Sequence, residues 1–153
     1  MKTLKIKNRI NKVILILTVL TAVTGLQCNR EKLLYKSWIL EQYGPEDQLV
    51  SITFPSQGDL PVKKQIVLNL AEDGKFSGND GCNSIFGSFK SGHCHKIEFM
   101  NISSTLMMCR QEVMSQAGAI RGILRNVKKY KVNETSLLLL TDNREVLKYM
   151  AKQ

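Results

Sequence analysis

From Ser37 to Met150 the apolar residues recur at every second position in short runs, and turn residues separate the runs. Period two means that successive side chains point to opposite faces, so each run fits a strand with one buried face. Trp38 and Leu40 share a face of Ser37–Tyr43, and Leu49–Phe54 is a second β-prone run. Ile66, Leu68 and Leu70 align along Gln65–Leu70, and Glu72-Asp73-Gly74 reads as a hairpin turn into Lys75–Asn79. Ile85–Phe89 and Lys96–Met100 follow, with Gly92 marking the turn between them. Tyr130–Val132, Ser136–Leu140 and Glu145–Met150 finish the chain, the last two joined through Thr141–Arg144. Gly44–Asp47 and Pro55–Pro61 are breaks rich in turn residues.

One segment changes period. Between Arg110 and Val127, Val113, Ala117, Ile120, Leu124 and Val127 fall at steps of four and three, a single helical stripe. Gly118 and Gly122 each weaken such a helix by about 1 kcal/mol relative to Ala. Their spacing of one turn suggests a close helix–sheet approach. Arg125, Lys128 and Lys129 suit a helix C-terminus, where the dipole favours cations. Short connections and no alternation of strand and helix exclude a parallel sheet. The expected fold is α+β: one domain, a strongly curved antiparallel sheet packed on one main helix, about 110–127. At 153 residues a single domain is the natural reading.

The net charge of +9 would suggest a polyanionic partner if it sat in the folded unit. It is concentrated elsewhere. Residues 1–27 carry Lys2, Lys5, Lys7, Arg9 and Lys12 and no acid, which leaves 17 basic against 13 acidic residues in the remainder. This basic stretch precedes an apolar run, Val13–Val23, too short for a membrane span but suited to an export signal. A buried core helix is the alternative, and the flanking cations fit it poorly. The run ends in Gly25-Leu26-Gln27-Cys28. A Cys at this place resembles a bacterial lipobox, although Gln27 and Gly25 depart from the usual residues. The expectation is a lipoprotein signal peptide over 1–27, lipidation of Cys28, and a tether over 28–36. Secretion with cleavage nearby is the alternative.

The stretch Asp73–Cys109 is the most distinctive. It contains Gly81-Cys82-Asn83-Ser84-Ile85-Phe86-Gly87-Ser88-Phe89 and then Thr105-Leu106-Met107-Met108-Cys109. With the opening Trp38-Ile39-Leu40, these blocks resemble the META domain family (HslJ-like), over roughly 37–150. The resemblance implies a small exported or lipid-anchored bacterial domain, with suggested links to stress and secretion. It implies no catalytic residues and no cofactor. It also favours a Cys82–Cys109 disulfide, since both cysteines sit in the family's blocks. Two buried free thiols remain open, as does exchange with Cys94. Gly87 suits a bulge or a close backbone approach. Met107 and Met108 read as core filler, the commoner use of methionine, against a soft copper pair.

His93-Cys94-His95 is a weak metal candidate, because a strand would place Cys94 opposite both histidines. Arg121, Arg125, Lys128, Lys129 and Lys131 form a candidate anionic-surface patch, otherwise a solvated face. No phosphate-loop, hydrolase-elbow or zinc-protease motif occurs in the sequence. The chain is therefore expected to be a non-enzymatic, lipid-anchored envelope protein, held in the outer membrane. Its partners would be that membrane and an unidentified envelope or extracellular protein, and not nucleic acid. A redox or metal protein using Cys82, Cys94, Cys109, His93 and His95 is the alternative. An inhibitor of an exported protease, acting through Lys90–His95, is a third reading.

Overall fold

The computed structural model describes residues 32–54 and 65–153. The signal segment, Cys28 and the Pro55–Pro61 loop lie outside the described residues. Nine strands follow in order: β1 (Ser37–Pro45), β2 (Val50–Ser51), β3 (Val67–Leu70), β4 (Lys75–Asn79), β5 (Ser84–Gly92), β6 (Lys96–Ser104), β7 (Val127–Val132), β8 (Ser136–Thr141) and β9 (Glu145–Ala151). Helix α1 (Gln111–Asn126) runs between β6 and β7. A short 3-10 turn, His93–His95, joins β5 to β6.

The period-two runs became strands because alternation buries one face of each. Trp38 and Leu40 of β1, Leu68 and Leu70 of β3, Ile85 and Phe89 of β5, and Leu137 and Leu139 of β8 all point inward. Every neighbouring pair is antiparallel. The expected α+β arrangement, an open curved sheet on a main helix, is overturned by one pairing. Strand β1 bonds β3 along one edge and β9 along the other, from Trp38↔Ala151 to Pro45↔Glu145. The sheet therefore closes into an eight-stranded antiparallel barrel, with β2 as an added edge piece on β1. The β1–β9 pairing removes the two end edges that an open sheet would have, and eight strands enclose an interior that side chains can fill. The alternating pattern shows which face is buried and is blind to which edges meet, so it could not distinguish an open sheet from a closed one.

The barrel core contains Trp38, Leu68, Phe76, Phe89, Phe99, Leu137, Leu139, Leu147 and Tyr149. Phe76 meets Phe99 edge-on at 5.3 Å between ring centroids. Leu34 is also buried there, and the Trp38 Nε1–H donates to its carbonyl at 3.0 Å. Helix α1 packs against β1, β6, β8 and β9 and adds Ile120, Ile123 and Leu124 to the same core. The expected stripe residues are all buried, but Val127 already begins β7. Lys128 and Lys129 accordingly belong to that strand and not to the helix end. A Cβ at Gly118 or Gly122 would meet nothing within 4 Å, so neither glycine serves a close helix–sheet contact.

Closure is uneven around the ring. The β1–β9 seam runs the length of both strands, whereas β6 and β7 share only the Lys96↔Lys129 register. The chain leaves the sheet at this thin seam. The Thr105–Arg110 loop and α1 depart after β6 and return at β7, and this excursion carries the candidate site.

Candidate functional site

The two cysteine blocks meet at the start of α1. Gly81 turns the chain after β4 with φ +97°, a conformation costly for any residue with a Cβ. The turn is built on Asp80, which is wholly buried. Its Oδ1 accepts the backbone N–H of Cys82 at 2.9 Å and of Asn83 at 2.6 Å. Its Oδ2 accepts from Arg121 Nη1 of α1 at 2.6 Å. A buried carboxylate is tolerated only when its charge and lone pairs are answered in this way. Asp80 thus ties the turn to the helix.

Asn83 performs the next join. Its Oδ1 accepts the Met107 N–H at 2.7 Å and the Thr105 hydroxyl at 3.4 Å. Thr105 in turn accepts the Ser84 N–H on its hydroxyl and donates its own N–H to the Ser84 carbonyl, both at 3.0 Å. Cys82 and Cys109 are bonded as a disulfide and pack with Val113 and Ala117 in a small second core. Behind them Gln116 exchanges hydrogen bonds with the Thr53 backbone, at 3.1 Å as acceptor and 3.2 Å as donor. Four elements are locked around one turn.

This rigid floor supports an exposed apolar rim. Leu106 is 98 % exposed, Met108 80 %, Met107 40 % and Met114 of α1 37 %. The expectation that Met107 and Met108 are buried as core filler is therefore corrected. Asn83 and the disulfide hold the segment's two ends, so its apolar side chains have nowhere inward to turn. Leu106, the three methionines, Ala117, Asn83 and Arg121 line an open hollow of about 350 Å³.

The other sequence candidates are scattered. His93, Cys94 and His95 form the exposed 3-10 turn at the far end of β5, and Cys94 is a free thiol. Cys94 and His95 both adopt positive φ, at 61° and 59°. The His95 ring lies edge-on to Tyr130 at 5.5 Å. Among the described residues no group of three or more His, Cys, Asp and Glu gathers. The anionic-surface patch is divided. Arg121 answers Asp80, Lys128 pairs with Glu98 at 2.9 Å, and Arg125 lies exposed in the last helical turn. Lys129 and Lys131 stand exposed on β7. Among the described residues no helix is long and apolar enough to cross a membrane.

The sequence marks Asn79-Asp80-Gly81 as a turn, but neither the tie from Asp80 to the helix nor the place of Met114 is read from it. The part of Asp80 within the turn is readable, because an Asp directly before Gly in a turn commonly accepts backbone N–H groups two and three residues on. Met114 lies on the flank of the helical stripe, next to Val113, and is 37 % exposed.

The META domain family model matches residues 31–153. The chain belongs to the META domain family. No curated protein matches it. Among solved structures it is similar to a Burkholderia xenovorans protein determined by NMR, with 25% identity and a TM-score of 0.65. That match covers 80% of this chain and 86% of the other. A crystal structure of a DUF4847 family protein from Bacteroides vulgatus is also similar, at 16% identity and a TM-score of 0.55. Coverage there is 81% of this chain and 96% of the other, and the likeness is one of fold. Within the META fold, both cysteine blocks now have structural reasons.

Proposed function

We propose that this META protein is a non-enzymatic binding module of the bacterial envelope, anchored through lipid on Cys28 and exported by residues 1–27. The observation that carries the binding role is the Leu106–Met108 rim. Three consecutive apolar side chains are held in water by a buried hydrogen-bond network and a disulfide. An exposed apolar surface on a rigid support is the mark of a docking site. The occupant is an apolar segment of an envelope or extracellular protein, whose side chain fills the hollow between Leu106 and Met114. Methionine suits such a surface because its flexible thioether adapts to irregular shapes. The anchor rests on the charged stretch, the apolar run and Cys28 in that order. Acyl chains contribute roughly 0.8 kcal/mol per buried CH₂, so more than one chain holds a domain of this size stably.

Crosslinking and pull-down from intact cells tests both halves. Cys28→Ala should lose palmitate labelling and release the protein from the membrane fraction. Leu106→Asp should stay at the membrane and lose its crosslinked partner. A Leu106→Asp variant that retains every partner would remove the rim from the proposal.

A further inference from the structure

The chain contains six methionines, and the fold gathers three of them, Met107, Met108 and Met114, around one hollow. We propose that these three thioethers form a binding site for a soft monovalent cation, copper(I).

The argument begins with ligand chemistry. A thioether is a neutral, polarisable sulfur donor, and soft sulfur ligands select copper(I) over hard or borderline cations. A thioether carries no proton to lose and cannot form a disulfide, so on the export proposed above it is not lost to disulfide formation as a thiol is. The cysteines beside this hollow, Cys82 and Cys109, are already bonded to each other and are not competing ligands.

The geometry supplies the rest. Met107 and Met108 are adjacent on the rim, whose backbone is held by Asn83 on one side and Cys109 on the other. Met114 rises from the first turns of α1, which begins two residues after Cys109. The backbone is therefore fixed while the side chains are not. Each methionine has three rotatable bonds and lies at least a third exposed, so its side chain can change rotamer without repacking the core. Arg121 also lines the hollow and would oppose a cation if its charge were free. The Asp80 carboxylate lies 2.6 Å from its Nη1 and offsets that charge. Among the described residues no other charged side chain lines the hollow. This proposal does not rest on a protein partner at the rim, because it needs the sulfur atoms where docking needs apolar shape.

The test uses the full chain carrying Cys28→Ala and Cys94→Ser, so that no free thiol binds the ion. Silver(I), a redox-inert stand-in, is titrated while the methionine methyl groups are followed by NMR. The methyls of Met107, Met108 and Met114 should shift together to a 1:1 endpoint, while those of Met100 and Met150 stay in place. Copper(I) held by ascorbate is then competed against a chromophoric chelator. Each single Met→Leu change at 107, 108 or 114 should weaken binding at least about tenfold, and the triple change should abolish it. Met→Leu keeps volume and apolarity, so the same variants should still capture a docking partner. Leu106→Asp should do the reverse, keeping the metal and losing the partner. Silver that leaves the three methyls unmoved, or a triple variant that binds copper(I) like the parent, would overturn the proposal.

Discussion

Two cysteine-bearing turns of this chain carry opposite physics. Asp80-Gly81-Cys82-Asn83 is buried, cross-linked and hydrogen-bonded to a loop and a helix. His93-Cys94-His95 is exposed, and its thiol is free. Both turns use left-handed backbone. The first places a glycine there, at Gly81, while the second forces it on Cys94 and His95. The difference shows where conformational cost is matched by structure. The first turn organises the site, and the second only reverses a hairpin.

The largest test of that contrast is the disulfide. It joins residues 27 apart. Removing it through Cys82→Ser with Cys109→Ser should cost about 3–4 kcal/mol in the chain-entropy description. Cys94→Ser should change stability by less than about 0.5 kcal/mol, as for other exposed sites. Urea denaturation of both variants checks this. Equal effects would erase the distinction between the turns.

Arg121 comes next. Arg121→Leu would leave the buried Asp80 carboxylate with only its two backbone donors. Stripping one partner from a buried pair costs about 3–5 kcal/mol. Arg121 is itself partly exposed, so the cost should fall near 2–3 kcal/mol, at the level of a charged hydrogen bond. The loss should be accompanied by faster hydrogen exchange at the Cys82 and Asn83 amides, because Asp80 holds both. A variant with parental stability and parental exchange would mean that Asp80 does not organise the turn.

The two turns were not equally legible in the sequence. The Gly81–Phe89 and Thr105–Cys109 blocks stood out by composition and resemblance, and the structure brings them together. The helix stripe from Val113 to Leu124 was plain because 3.6-periodicity is a local property. Barrel closure was hidden, because β1 and β9 lie about a hundred residues apart and strand alternation is the same in open and closed sheets. The exposure of Met107 and Met108 was hidden for another reason. Methionine composition favours burial, and it is the long-range hydrogen bond from Met107 N–H to Asn83 and the Cys82–Cys109 disulfide that fix the segment at the surface. Sequence proximity joined Arg121 to Lys128 and Lys129, while the fold pairs Arg121 with Asp80 and Lys128 with Glu98, partners that no local pattern reveals.

The second turn offers a test with the opposite sign. Cys94 has φ 61° and ψ 37°, where an L residue is held at a cost of about 1–2 kcal/mol. Its side chain is exposed, so replacing it loses little packing. Cys94→Gly should stabilise the protein by about 0.5–1 kcal/mol, the relief of strain being reduced by the greater freedom of glycine in the unfolded chain. Gly81→Ala should destabilise for the same reason in reverse. At φ +97° its Cβ would also approach Ile66 Cδ1 to 3.2 Å. Thermal melts of the two variants should move in opposite directions.

The smallest effects separate glycines that the fold requires from glycines it merely contains. Gly118 and Gly122 lie in a regular helix, and an added Cβ meets nothing within 4 Å at either. Neither has the positive φ that makes Gly81 necessary. Alanine at each should therefore stabilise by about 0.5–1 kcal/mol, through helix propensity and a less disordered unfolded chain. The double variant should gain more than either single change. A gain in stability with unchanged silver(I) binding is expected, because neither glycine lines the methionine hollow. A loss of stability instead would mean that this face of α1 is covered in the folded protein and that the glycines make room for what covers it.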